Sequence, residues 1–235
     1  MFQNNHNKSG FTLVETMMSV VFISILLIAI GTVSMHIINT YRRGVVVKMV
    51  NETGRAISDD IRASLSSGNF SFDRGDYVNR PGYGILCTGK YTYMWNYAEH
   101  LKEPKTHILR YQGASDTDTF SDDNRIRMIK IPDQTRNYCT IKDHSSIVIL
   151  PPSSSTGQQK AIELIKPSEG DLMVHDFNIT KGAYDNDRAL YQVSFSIGTN
   201  QYKEIIKDKQ CIPNEFDQAG CAINRFDISI LTKER

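Results

Sequence analysis

The sequence predicts an α+β protein, with one long N-terminal α-helix packed on an antiparallel β-sheet. Three observations predict it. An apolar run extends from Thr16 to Met35. An apolar stripe at helical spacing then continues through Val46, Val50, Ile57, Ile61 and Leu65, with Arg55, Asp59, Asp60 and Arg62 between its members. Beyond Gly68 the pattern changes to short alternating segments divided by turn residues.

The first segment is long enough to cross a bilayer as a helix, at ~1.5 Å of rise per residue through ~30 Å of hydrocarbon. A secretory signal has a shorter apolar region, about 7–15 residues, followed by a small-residue cleavage site. No such site follows here; the run gives way to His36-Ile-Ile-Asn-Thr-Tyr-Arg-Arg43, and the small residue Gly10 stands before it. Glu15 is an acid near the start of the run, and an acid in a membrane segment is costly. Locally, Thr12-Leu-Val-Glu15 fits a capping box, in which the glutamate returns to the N-cap backbone. Lys8 precedes the run and Arg42, Arg43 and Lys48 follow it, so a count of positive charges places the bulk of the chain in the cytoplasm. The cysteines argue for the other side.

The second half of the helix, ending at Ser66-Ser-Gly68, makes a continuous helix from Phe11 to about Leu65 roughly 80 Å long. Gly31, Gly44 and Gly54 are its weak points, each costing up to ~1 kcal/mol relative to Ala. Predicted strands are Gly84–Tyr97, Thr106–Tyr111, Arg125–Ile131, Ser146–Leu150, Ala161–Ile165, Leu172–Ile179, Leu190–Ile197 and Phe226–Leu231. Val193, Phe195 and Ile197 alternate with serines, and Phe226, Ile228 and Ile230 alternate likewise, as half-buried strands do. The turn-rich connections are Arg80–Gly82, Gly113–Asn124, Pro151–Gly157 and Asp185–Asp187, and there is no internal repeat.

Cys87, Cys139, Cys211 and Cys221 all lie beyond the apolar run, and none forms a Cys-x-x-Cys pair, which argues against zinc or thioredoxin-like chemistry. An even number beyond a membrane span suggests two disulfides in an oxidising compartment. Three connectivities are open. Nearness in sequence favours Cys211–Cys221, leaving Cys87–Cys139; the alternative is four buried thiols in a cytoplasmic domain.

Gly10-Phe11-Thr12-Leu13-Val14-Glu15, between a short polar leader and a long apolar helix, resembles the class III signal of type IV pilins and pseudopilins. The resemblance covers about the first fifth of the chain. It implies cleavage by a membrane prepilin peptidase between Gly10 and Phe11, N-methylation of Phe11, and pairing of Glu15 with the N-terminal amine of a neighbouring subunit. It also implies a ladle-shaped, pilin-like fold divided into a leader (1–10), a transmembrane and filament-core helix (11–41), an amphipathic half (42–66) and an extracytoplasmic β-rich head (67–235). The Cys211–Cys221 loop resembles the C-terminal disulfide loop of many pilins. No proline occurs between Phe11 and Arg80, and the leader has one Lys, both departures from the commonest major-pilin pattern. The expectation is a non-enzymatic minor pilin-like subunit of a cell-surface pilus. Its partners are other pilin subunits, the prepilin peptidase and the cytoplasmic membrane that holds the precursor. The alternatives are a pseudopilin of a secretion or DNA-uptake system, or a membrane-anchored binding or enzyme domain.

No chemistry in the remaining sequence competes with that expectation. The formal net charge is +1 and no basic stripe with interleaved aromatics points to nucleic acid. No G-x-S-x-G, H-E-x-x-H or Walker glycine loop occurs, and the six histidines are scattered, so neither a catalytic site nor a cofactor is expected. Asp116-Thr-Asp118-Thr-Phe120 begins with the spacing of a calcium loop, but Phe120 stands at the third ligand position, so a solvated loop is the reading. Tyr91, Tyr93, Trp95 and Tyr97, spaced by two, share one strand face. They are read as packing on the long helix, with an exposed aromatic surface for sugar or protein ligands as the alternative.

Overall fold

A computed structural model describes residues 12–67, 70–71, 75–101, 109, 111, 126–140, 161–166, 172–185, 188–199, 206–207, 210–211 and 220–233. The Gly10–Phe11 junction, the strand Ser146–Leu150, most of Thr106–Tyr111, the acidic loop around Asp116 and the Pro151–Gly157 connection lie outside the described residues. The chain divides into two compact units, Met1–Arg42 and Arg43–Arg235.

Helix α1 (Leu13–Ser67) begins in the first unit and continues into the second. In the first unit its apolar side chains are exposed, and an 18-residue window has a mean hydropathy of 2.5. By length and composition this is a candidate single membrane span. Five hydroxyls within it are satisfied by the helix itself. Thr16 donates to the Leu13 carbonyl, Ser19 to Glu15, Ser24 to Val20, Thr32 to Ala29 and Thr40 to His36, each within 2.9 Å. Satisfied hydroxyls remove most of the penalty of carrying Ser and Thr into hydrocarbon.

In the second unit α1 buries one stripe, Val50, Thr53, Gly54, Ile57, Ile61, Ser64 and Leu65. It packs on antiparallel sheets, as an α+β fold requires. Strands β1 (Tyr77–Asn79), β2 (Tyr83–Cys87), β3 (Tyr91–Asn96), β4 (Met128–Pro132) and β5 (Ile162–Glu163) form one sheet in that order. Two short helices, α2 (Ala98–Leu101) and α3 (Asn137–Thr140), follow β3 and β4. Strands β6 (Leu172–Asp185) and β7 (Arg188–Thr199) form a long hairpin. The short pair β8 (Ile206–Lys207) and β9 (Gln210–Cys211) comes next. Strand β10 (Ile223–Lys233) then returns to β7, giving the order β10-β7-β6.

Two differences from the sequence reading have local causes. The predicted strand Gly84–Tyr97 is a hairpin, because Gly89 takes a φ of 88°, open to glycine and strained for other residues, and Thr88 N–H donates to the Tyr91 carbonyl at 2.8 Å. The single expected sheet is two main sheets. They meet at a parallel bridge between Tyr97 and Val174, next to a register shift between Val174 and Asp176. That bulge turns both Val174 and Phe177 inward.

The core on the helix side draws from both sheets. Phe177, Phe195 and Phe226 lie in register across β6, β7 and β10, and their rings stack at 5.7 and 5.4 Å. Trp95 of β3 continues the row, 4.1 Å from the Phe177 ring. At the other end the Phe226 ring occupies the space that a side chain at Gly54 would need. The opposite face of the five-stranded sheet is also covered: Ile85, Met94, Ile129 and Ile131 pack with Leu109, Tyr111, Ile126 and Ala161.

Gly54 and Gly44 therefore respond in opposite directions to the same change. Ala gains about 1 kcal/mol over Gly in a helix interior, and Gly44 has open space around it. Gly44→Ala should raise the melting temperature by about 2–4 °C. At Gly54 the Phe226 ring must move, and overpacking costs about 1–3 kcal/mol. Gly54→Ala should lower the melting temperature of the full chain in detergent, followed by circular dichroism. A rise at Gly54 comparable to that at Gly44 would show that the helix does not rest on the Phe226 ring.

Candidate functional site

At the head of α1 the capping box is formed. Thr12 N–H donates to Glu15 Oε2 at 2.9 Å, the Thr12 hydroxyl donates to the same oxygen at 2.9 Å, and Glu15 N–H donates to Thr12 Oγ1 at 3.3 Å. The arrangement satisfies two backbone donors at the helix end reciprocally and holds the carboxylate at the entry of the apolar helix. Glu15 is the only Asp, Glu, Lys or Arg from Phe11 to Tyr41. Gly10 and Phe11 lie outside the described residues.

Disulfides join Cys87 to Cys139 and Cys211 to Cys221, with Cα separations of 6.3 and 6.0 Å. The first ties β2 to α3. Asp133, itself buried, accepts the N–H groups of Asn137 and Tyr138 at the start of α3 and the Thr92 hydroxyl of β3. Buried Asp76 accepts the Ser71 N–H at 2.8 Å and pairs with Arg136, just before α3. The second disulfide ties β9 to the segment entering β10. It forms one wall of an open groove of about 730 Å³, whose other walls include Val47, Val50, Asn51, Asn224 and Arg225. Asn224 donates to Asn51 at 2.6 Å across that groove.

The aromatic row does not form an exposed surface. Tyr93 and Trp95 are fully buried and Tyr97 is 9% exposed. Only Tyr91 is half exposed. The rings turn inward because β3 is central in its sheet and that face meets the helix. The Tyr93 hydroxyl donates to the Asp60 carboxylate at 2.7 Å and bonds to the Ser64 hydroxyl at 2.6 Å. Lys130 of β4 donates to the other Asp60 oxygen at 2.7 Å, with its ammonium 3.9 Å from the Tyr91 ring centre. Asp60 thus belongs to a polar clamp between helix and sheet, although its place among charged residues made it look like part of the solvated face. A Lys 70 residues away in the sequence gave no local signal for this partnership.

No group of three or more His, Cys, Asp or Glu stands together to hold a metal ion among the described residues. Comparison with family models, with curated proteins and with solved structures gave no match.

The buried phenols make the second unit sensitive to alkali. Burial raises the pKa of Tyr93 well above its ordinary value; the Asp60 charge adds to this and the Ser64 hydrogen bond opposes it. Burial likewise pushes Tyr97 up to about 12 and raises Tyr77 and Tyr111 further. The unfolded chain therefore releases these protons first, near pH ~10. Stability present below that pH is lost as pH rises toward the folded values. A titration of tyrosinate absorbance should show a late, cooperative step coinciding with loss of near-ultraviolet dichroism. Smooth ionisation of all 11 tyrosines near pH ~10 with the fold intact would contradict the burial.

The two disulfides should differ in their effects. In the chain-entropy model the 52-residue separation of Cys87–Cys139 is worth about 4 kcal/mol and the 10-residue separation of Cys211–Cys221 about 3. Cys211→Ala with Cys221→Ala should increase hydrogen exchange first around β9 and the start of β10, while Phe226, Ile228 and Ile230 stay protected in their pairing with β7. Early loss of protection through the whole of β10 would assign the bridge a global role.

Proposed function

We propose that the chain is a non-enzymatic, minor pilin-like subunit of a type IV pilus filament, made as a membrane precursor with its β-rich unit outside the cytoplasm. The observation that carries the proposal is Gly10-Phe11-Thr12-Leu13-Val14-Glu15 at the head of an apolar helix of membrane length. The continuation of that helix into an amphipathic half packed on antiparallel sheets supports it. So do two disulfides confined to the second unit, which favour an oxidising compartment.

The chemistry is one of assembly. A cut before Phe11 leaves both Thr12 and Glu15 in the mature chain, so the capping box survives processing. It also creates a positive amine four residues before the carboxylate. In a low-dielectric filament core, a second subunit's amine within a few ångströms of Glu15 offsets the cost of burying the acid. The tyrosine-rich strand, buried on the helix, is then part of the scaffold and not a ligand surface.

The test reads the mature N-terminus by mass spectrometry of purified filaments. The expected chain begins at N-methylated Phe11, and a chain beginning at Met1 in filaments sinks the assignment. Gly10→Val should leave an unassembled precursor. Glu15→Ala should insert into the membrane as well as the parent or better, because it removes a charge, yet be lost from filaments by an order of magnitude or more. Normal incorporation of Glu15→Ala would restrict Glu15 to capping the helix.

A further inference from the structure

The sequence contains four Asn-x-Ser/Thr triplets, at Asn7, Asn51, Asn69 and Asn178. Such a triplet is the acceptor pattern for N-linked glycosylation, and the modified asparagine must face solvent in the folded protein to leave room for its glycan. Asn7 precedes the proposed cut, and Asn69 lies outside the described residues, with its Ser71 6% exposed. Asn51 bonds to Asn224 and its Thr53 is 8% exposed on the buried stripe of α1. Asn178 differs from these: Asn178 and Thr180 are both exposed, on the same face of β6. Phe177 and Ile179, 1% and 2% exposed, point the other way into the core.

We propose that Asn178 is an N-glycosylation site, modified by a membrane oligosaccharyl transferase outside the cytoplasm. The neighbours on its face fit this role. Asn178 lies opposite Ser194, which lies opposite Asp227; Thr180 lies opposite Gln192, which lies opposite Ser229. On strands ~4.8 Å apart these polar side chains form a hydrated surface around the acceptor, with the exposed Leu190 and Leu231 one row further along the same face. The donor is an oligosaccharide on a polyprenyl pyrophosphate. A bond forms between Asn178 Nδ2 and the sugar C1, the C1–O bond to the pyrophosphate breaks, and the lipid pyrophosphate leaves with the bonding pair. One amide proton passes to a base of the transferase, and nothing is oxidised or reduced.

The strand geometry also orders the events. In the folded protein β6 is extended and paired along β7, so Asn178 cannot curl back toward the Thr180 hydroxyl. Transfer therefore precedes closure of the β6–β7 hairpin, as the chain emerges from the membrane. The folded sheet then holds the glycan on its solvent face.

The proposal rests on the second unit lying outside the cytoplasm, and not on the filament reading. The test is peptide mapping by mass spectrometry of the full chain isolated from the envelope of its native host. The peptide containing Asn178 should carry a sugar mass increment. The increment should vanish in Asn178→Gln and Thr180→Ala, both with unchanged dichroism, and persist in Thr180→Ser. An unmodified Asn178 peptide overturns the proposal, as does an increment that survives Thr180→Ala. Thiol labelling of the same sample separates the causes: oxidised cysteines with bare Asn178 leave the location standing, whereas free thiols with bare Asn178 remove it as well.

Discussion

The second unit depends on the contact between the Phe226 ring and the bare backbone at Gly54. Phe226 is the last ring of a row that passes through Phe195 and Phe177 to Trp95, and so reaches from β10 across to β3. Aromatic rings in offset contact add ~0.5–1.5 kcal/mol per pair beyond the area they bury. Their larger effect is geometric. A row of flat rings fixes the spacing between the helix and both sheets, and a glycine lets the helix come close enough to cover it. The ~1 kcal/mol that Gly54 costs as a helix residue is the smaller side of that exchange.

Polar groups are arranged by the same logic of enclosure. Along the apolar part of α1, hydroxyls return to carbonyls of the preceding turn, which lets a helix with several Ser and Thr remain apolar on its outside. On the sheet side, Tyr93, Ser64, Asp60 and Lys130 satisfy one another where the helix covers β3 and β4. Asn96 shows the same economy: its side chain donates to the Leu109 and Ile126 carbonyls and accepts the Leu109 N–H, each at 2.8 Å. Buried amides of this kind fix the path of a connection because leaving any one bond unmade costs the desolvation of the group.

The proposed assembly role and the proposed glycan use different parts of the chain. One concerns Phe11 and Glu15 at the head of the apolar helix. The other concerns the solvent face of β6, where no side chain contributes to the core. The exposed Asn178 and Thr180 leave room for a bulky substituent, whereas the buried Tyr93 and Trp95 face is committed to packing.

Short-range pattern made much of this protein legible. Spacings of four and seven gave the buried stripe Val50, Ile57, Ile61 and Leu65. Spacings of two gave the cores of β7 and β10 at Val193, Phe195, Phe226 and Ile228. Thr12 and Glu15 lie three apart, so their capping box could be read directly. Partnerships between distant residues could not. Nothing near Gly54 announces Phe226, nothing near Asp60 announces Tyr93 or Lys130, and the four asparagine triplets look alike until burial separates them. The sequence by itself determined which residues form the long helix, which alternate and where an acid enters an apolar run, because those properties follow from the local geometry of the chain. Only the tertiary structure decided which glycine is a contact, which charge is clamped and which asparagine faces water. Those depend on groups that sequence distance keeps apart and packing brings within a few ångströms.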